Sequence, residues 1–73
     1  AMDEKSLARA IKRLEKEIEQ LEKVINNSYR QLNDDKFTGR APAKVVEGIR
    51  QKLIEYEGQL AKSRASLEGL DLQ

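Results

Sequence analysis

The sequence predicts an all-α protein, a two-helix antiparallel coiled-coil hairpin. Charged residues make up 37% of its 73 residues and aromatic residues only 4%, which is typical of long exposed helices rather than a globular core. Two segments repeat apolar residues at alternating spacings of three and four, which places those residues on one face of a helix. Gly39 and Pro42 lie between the two segments and argue against one continuous helix.

The first helix is predicted from residue 4 to residue 32. Its apolar face, here called the seam, contains one polar member, Ser28, and the positions between seam residues are mostly charged. The seam residues of this helix are Leu7, Ile11, Leu14, Ile18, Leu21, Ile25, Ser28 and Leu32.

The first helix is preceded by an N-terminal tail, residues 1–3. Ala1 and Met2 look like a remnant left by an expression vector, so we expect the chain to be a fragment of a larger protein. Either Asp3 or Ser6 can cap the start of the helix, because both side chains accept hydrogen bonds from backbone N–H groups.

The second helix is predicted from residue 42 to residue 70. Pro42 suits the first helical position, where its missing N–H costs nothing. Gly48, Gly58 and Gly69 each weaken the helix by about 1 kcal/mol relative to alanine. The seam residues of this helix are Val46, Ile49, Leu53, Tyr56, Leu60, Ser63, Leu67 and Leu70.

The connection between the helices, residues 33–41, is predicted to be a loop with Asn33 and Gly39 as turn formers. It is short enough to make the helices antiparallel neighbours. Such a two-helix seam buries little surface, so the domain is expected to depend on a parent protein, a partner or self-association. The pairing that matches the two seams is Leu32 with Val46, Ile25 with Leu53, Ile18 with Leu60 and Ile11 with Leu67.

Composition excludes several classes of function. The chain has no cysteine and no histidine, so it lacks disulfides, thiolate ligands, the commonest zinc ligand and the usual general base. The adjacent carboxylates Asp34 and Asp35 are interpreted as an acidic turn that ends the first helix. We therefore expect no catalytic site, metal site or cofactor in this domain, no membrane span and a cytosolic location.

The charge balance is broken around the connection. We call this end of the hairpin, from Arg30 to Lys52, the tip. Between residues 36 and 52 there are five cations and one anion, Glu47, and Arg30 adds a sixth cation on the facing helix. A basic cluster at the end of a rod suits nucleic acid, because phosphate contacts supply sequence-independent affinity. A merely solvated end is the alternative. The five cations are Lys36, Arg40, Lys44, Arg50 and Lys52.

The aromatic residues of the chain are predicted to have different roles. Phe37 either plugs the open end of the hairpin over Leu32 and Val45 or stacks on a base, and the plug is favoured. Tyr56 lies in the seam and should be part of the core, whereas Tyr29 lies off the seam and should be more exposed.

The tip and its flanks resemble the C-terminal arm of bacterial-type valyl-tRNA synthetases. The resemblance covers nearly the whole chain, but its specific part runs from residue 37 to residue 57. It rests on Leu32, Phe37, Ala41-Pro42, Val45-Val46-Glu47, Arg50, Lys52-Leu53 and Tyr56-Glu57.

The resemblance implies an antiparallel coiled coil that projects from the synthetase body and contacts the corner of tRNA where the D and T loops meet. It implies that the arm itself is not catalytic, and that aminoacylation with ATP and valine occurs in other domains. The implied partners are the valine-specific tRNA and the synthetase body. The implied phosphate contacts are Lys36, Arg40, Lys44, Arg50 and Lys52 with Arg30, while Phe37 and Pro42 shape the tip.

Five positions depart from the pattern of that family, and two of them, Gly48 and Gly58, are less helix-forming than expected. Asp34 stands where the family usually has asparagine, which adds a negative charge to the tip. Ser28 replaces a seam leucine, and Ile49 occupies a seam position that is often charged. We hypothesise that Ser28 and Ile49 compensate each other, which requires them to be neighbours across the seam.

Two other functions fit the same pattern. One is a protein–protein coiled-coil module that oligomerises or docks on a partner through exposed seam edges. The other is the C-terminal, RNA-facing hairpin of ribosome-associated ATPases, which the A-P-x-x-V-V element of residues 41–46 fits less well.

Overall fold

A computed structural model describes residues 3–71, and the expectation that Ala1 and Met2 are a vector remnant lies outside them. The described chain forms three helices, α1 (Glu4–Leu32), α2 (Asp35–Arg40) and α3 (Ala43–Asp71). The protein is all-α, with α1 and α3 packed along each other as a hairpin. The predicted loop over residues 33–41 is corrected, because most of it is the short helix α2.

Helix α1 begins at a side-chain cap and ends in a turn. The Asp3 carboxylate accepts a hydrogen bond from the backbone N–H of Ser6 at 2.7 Å, so Asp3 is the N-cap. This bond stabilises the carboxylate and holds the pKa of Asp3 below its ordinary value of 3.8. At the other end, the backbone N–H of Asn33 donates to the Tyr29 carbonyl at 2.9 Å and closes α1.

The turn from α2 into α3 consists of Ala41 and Pro42. Ala41 is extended (φ −71°, ψ 143°), as expected for a residue whose helical conformation would clash with a following proline ring. The Pro42 carbonyl accepts hydrogen bonds from Val45 and Val46, so Pro42 precedes α3 instead of occupying its first position. Gly39 lies inside α2, which corrects its interpretation as a turn former. No residue in the range 3–71 has a positive φ.

The core is a narrow seam between α1 and α3. Three residues are buried, and four partly buried residues pack against them. Contacts between side chains show the antiparallel arrangement, since Glu22 reaches Arg64 while Tyr29 reaches Glu57. The result is a rod of 53 × 14 × 14 Å with the tip at one end. The buried residues are Ile25, Leu53 and Leu60, and the packed residues are Ile18, Leu21, Leu32 and Tyr56.

The two aromatic residues of the stem lie where the heptads place them. Tyr56 packs against the buried cluster, and Tyr29 is 44% exposed. Among residues 3–71, no helix combines the length and the apolar character needed to cross a membrane.

Replacing Leu53 by alanine should destabilise the hairpin strongly. Leu53 is 6% exposed, and truncating a buried leucine typically lowers the free energy of unfolding by about 2–5 kcal/mol. The neighbouring residue Ile54 is 70% exposed, so Ile54→Ala should change this quantity by less than about 0.5 kcal/mol. Urea unfolding followed by circular dichroism measures both changes, and similar losses in both variants would contradict the observed seam.

Candidate nucleic-acid interface

The tip carries six exposed cations contributed by all three helices. Arg30 lies in the last turn of α1, and Lys44 lies in the first turn of α3. Lys36 and Arg40 are separated by four residues on α2, so they lie on one face of it. The remaining two, Arg50 and Lys52, lie within about 14 Å of the start of α3 at 1.5 Å per residue. All six side chains are exposed.

Ion pairs within residues 3–71 involve two of the eight stem cations and none of the six tip cations. In the stem, Lys23 pairs with Glu19 at 3.4 Å, and Arg64 pairs with Glu22 across the two helices at 3.8 Å. Within residues 3–71, none of the six tip cations forms an ion pair with a carboxylate. Their positive charge is therefore neutralised only by solvent ions, which a polyanion can displace.

The two acidic residues of the connection between α1 and α3 begin a helix rather than end one. Asp34 is the N-cap of α2, and its carboxylate accepts a hydrogen bond from the backbone N–H of Lys36 at 3.0 Å. Asp35 is the first residue of α2, where a negative charge is favourable near the helix N-terminus. This corrects the interpretation of the pair as a turn that terminates α1. It also explains the departure at residue 34, because aspartate and asparagine cap helices about equally well.

Phe37 is half-buried in the middle of α2. Its carbonyl accepts a hydrogen bond from the backbone N–H of Ala41 at 2.8 Å, which closes the short helix. Val45 remains 47% exposed. The plug over Leu32 and Val45 and the stacking of Phe37 on a base both stay predictions.

One side of the hairpin next to the seam is closed by polar contacts. The Tyr29 hydroxyl donates a hydrogen bond to Glu57 at 3.2 Å, and the Arg64–Glu22 ion pair lies two turns further down the stem. The hydrogen bond to Glu57 and the nearby negative charge raise the pKa of Tyr29 above its ordinary value of 10.0. This polar side links α1 to α3 from the middle of the rod towards the tip.

The opposite side of the seam is open and apolar, and we call it the Val24 groove. It consists of two cavities of about 510 and 380 Å³ that share Val24, a residue that is 39% exposed. The cavity nearer the tip is lined by Val24, Ser28, Gln31, Val45, Gly48, Ile49, Lys52 and Tyr56. The other is lined by Glu17, Gln20, Leu21, Val24, Gln59, Lys62 and Ser63.

Ser28 and Ile49 line the same cavity of the Val24 groove, and both are half-buried. This common cavity is compatible with the compensation hypothesis, which requires the two residues to be direct neighbours across the seam and stays a prediction.

Sequence reasoning missed α2 and the Val24 groove. The signal for α2 was present in Asp34, which is a favourable N-cap followed by an acidic first residue. The groove had a signal in Val24 and Val45, apolar residues that lie beside the seam instead of on it. No cluster of three or more potential metal-ligating side chains occurs in the described part of the chain.

Comparison with known proteins agrees with the resemblance to the arm of valyl-tRNA synthetases. The sequence model of the family described as "Valyl tRNA synthetase tRNA binding arm" matches residues 6–71. The chain is 64% identical over 50 residues to a valine–tRNA ligase of Solibacter usitatus, an alignment that covers 68% of this chain and 6% of that protein. It is 38% identical over 64 residues to the enzyme of Wolinella succinogenes, with coverage of 88% and 7%. No solved structure gives a significant match.

The hydrogen bond between Tyr29 and Glu57 should be visible in the titration of the phenol. Because the bond raises the pKa of Tyr29, its stabilising contribution is present below the ordinary value and is lost as pH rises through the raised pKa. Glu57→Ala should lower the pKa of Tyr29, as measured by NMR of its ring carbons. Glu55→Ala, which removes a carboxylate two residues away, is the matched control, and an equal shift in both variants would contradict the specific contact.

Proposed function

Since the chain belongs to the family of valyl tRNA synthetase tRNA binding arms, we propose that it binds tRNA through its tip in support of a parent valine–tRNA ligase. The chain spans only 6–7% of the length of the curated relatives that it matches. In this proposal the arm is not catalytic, and the parent carries out aminoacylation with ATP and valine in the cytoplasm. Its partners are then the valine-specific tRNA and the synthetase body.

The observation that carries the proposal is the set of six exposed tip cations, for which the structure of residues 3–71 shows no ion pair. A phosphate backbone keeps solvent cations condensed around it, and contacts with these side chains release them. The cations of the stem stand among many carboxylates, whereas Glu47 is the single carboxylate from residue 36 to residue 52. The attraction for a phosphate backbone is therefore strongest at one end of the rod.

The shape of the arm supports a contact with the outer corner of tRNA. A rod 53 Å long and 14 Å wide can carry its tip well away from whatever protein holds its base. The corner where the D and T loops meet is a protruding part of the molecule, which a narrow tip reaches without steric conflict. Phe37 and Pro42 give the tip its shape between the phosphate-contacting residues, and Phe37 is available for a base that the loops expose.

Salt dependence and charge reversal at the tip test the proposal. The isolated chain should bind tRNA with a Kd on the order of 10⁻⁴ to 10⁻⁶ M near physiological salt, and the affinity should fall as salt rises. The double variant Arg40→Glu with Lys44→Glu should abolish measurable binding. For any residual binding, the plot of the logarithm of the association constant against the logarithm of the salt concentration should have a slope that is less steep by about two. Each lost phosphate contact contributes about one to this slope.

A matched control reverses two cations at the base of the rod. Lys5→Glu with Arg9→Glu makes the same change in net charge, and negative charges near the N-terminus of α1 do not oppose the helix dipole. This variant should retain most of the binding. Fluorescence anisotropy of labelled tRNA at two salt concentrations measures both variants, with circular dichroism as the check on helicity. Binding that is independent of salt, or equal losses in both variants, would sink the proposal.

The Val24 groove favours a second function, self-association with another copy of the chain. The hairpin buries only three residues within its described part, so covering this groove would add apolar burial that the monomer lacks. A two-fold axis near Val24 would lay the apolar surfaces of the two grooves against each other. It would bring Lys52 of one copy towards both Glu17 and Lys62 of the other, so the contact would be held mainly by apolar burial.

Self-association predicts a concentration-dependent dimer that a single charge disrupts. Val24→Lys places a cation at the shared centre of both cavities and should give a monomer by light scattering. Ile54→Lys places the same charge on an exposed position and should leave the dimer intact. A monomeric wild-type chain at high concentration rules out this second function, and a dimer that buries the tip cations would favour it over tRNA binding.

A further inference from the structure

We infer that Asp34, although it is anionic, strengthens the binding of tRNA by positioning two of the cations that contact it. The inference rests on the proposed function and concerns the same tip. Charge alone predicts the opposite, because a carboxylate beside a phosphate-binding surface repels the ligand. The contacts of Asp34 decide between these two expectations.

Asp34 holds the first turn of α2 with both its side chain and its backbone. Its carboxylate accepts the hydrogen bond from the Lys36 N–H at 3.0 Å. Its carbonyl accepts bonds from the backbone N–H of Thr38 at 3.0 Å and from the Thr38 hydroxyl at 3.2 Å. A substitution at residue 34 deletes only the first of these bonds directly, because the other two use the backbone carbonyl of Asp34.

Helix α2 needs such a cap because it is very short. It has six residues, and the first turn of any helix is costly to form, so a segment of this length is marginal without fixed ends. Loss of an N-cap side chain typically shifts a local helix equilibrium by about fivefold towards the unfolded form. If the helical tip is the form that binds, the measured affinity falls in proportion to the population lost.

The cations that depend on α2 are Lys36 and Arg40. Their spacing of four residues places both on one face only while the segment is helical. In an unfolded tip the same side chains stay attached but lose their common direction, and binding then has to order them. Preorganisation of these two residues is what the cap supplies.

The repulsion from Asp34 is the smaller effect. Its side chain is exposed, and a unit charge in water about 8 Å from a phosphate changes affinity by no more than about two- to threefold before screening by salt. Capping therefore outweighs repulsion, and removing this negative charge together with the cap should weaken binding to a polyanion.

Three variants of the full 73-residue chain separate capping from charge. Asp34→Asn keeps the cap and removes the charge, so it should bind tRNA as tightly as wild type or up to about threefold more tightly. Asp34→Ala removes both and should bind about three- to tenfold more weakly. Asp35→Ala removes the neighbouring charge without removing the cap bond and should not weaken binding by more than about twofold.

Hydrogen exchange gives an independent readout of the tip. The amides of Thr38 and Ala41, which are bonded within α2 or at its end, should exchange faster in Asp34→Ala than in Asp34→Asn. Equal affinities for these two variants would overturn the inference while leaving tRNA binding by the wild type intact. Equal weakening in both would also overturn it, because the charge itself would then be required. A wild-type chain that does not bind tRNA would overturn the proposed function, and the inference with it.

Discussion

The apolar seam between α1 and α3 is the contact on which the rest of the molecule depends. Of the residues whose burial is described, Ile25, Leu53 and Leu60 are buried in it, and three flanking residues on α1 with one on α3 complete it. Because the seam occupies a narrow strip of each helix, nearly every other position faces solvent and can carry charge. The long, narrow seam therefore accounts for both the rod shape of the chain and its high content of charged residues.

The charged residues are arranged differently along the stem and at the tip. Along the stem, cations and carboxylates alternate closely enough to pair, as Arg64 does with Glu22. At the tip the chain turns, and the two carboxylates of the connection cap α2 or lie in its first turn, while Glu47 lies in α3. Asp34 is the clearest case, since one oxygen of its carboxylate accepts a hydrogen bond from the backbone N–H of Lys36. The cations around the tip therefore outnumber the carboxylates there, and this excess of positive charge underlies the proposed role in binding tRNA.

The sequence predicted the long helices well because a seam sustained over many heptads averages out local exceptions such as Ser28. It failed at the tip, where α2 is too short for any periodicity and its start depends on one side-chain hydrogen bond. Asp34 and Asp35 were consistent with ending one helix or beginning another, and only the direction of the Lys36 N–H distinguishes the two. The extent of the polar side and of the Val24 groove could not be foreseen for a different reason, although Val24 and Val45 beside the seam were a signal for the groove. The heptad pattern indicates which residues face the partner helix. Whether a groove remains beside the seam depends on the sizes of the side chains that both helices contribute there.

The turn at the tip uses no left-handed backbone conformation. Both changes of direction are made by residues with negative φ, and even Gly39 has open space where a β-carbon would stand. Apart from Pro42 and the cap at residue 34, the turn therefore places few steric demands on residue type. The end of the rod can accumulate substitutions that alter its charge or its aromatic content while the stem keeps its register. In an arm built this way, the ligand preference of the tip can diverge between relatives without any redesign of the fold that carries it.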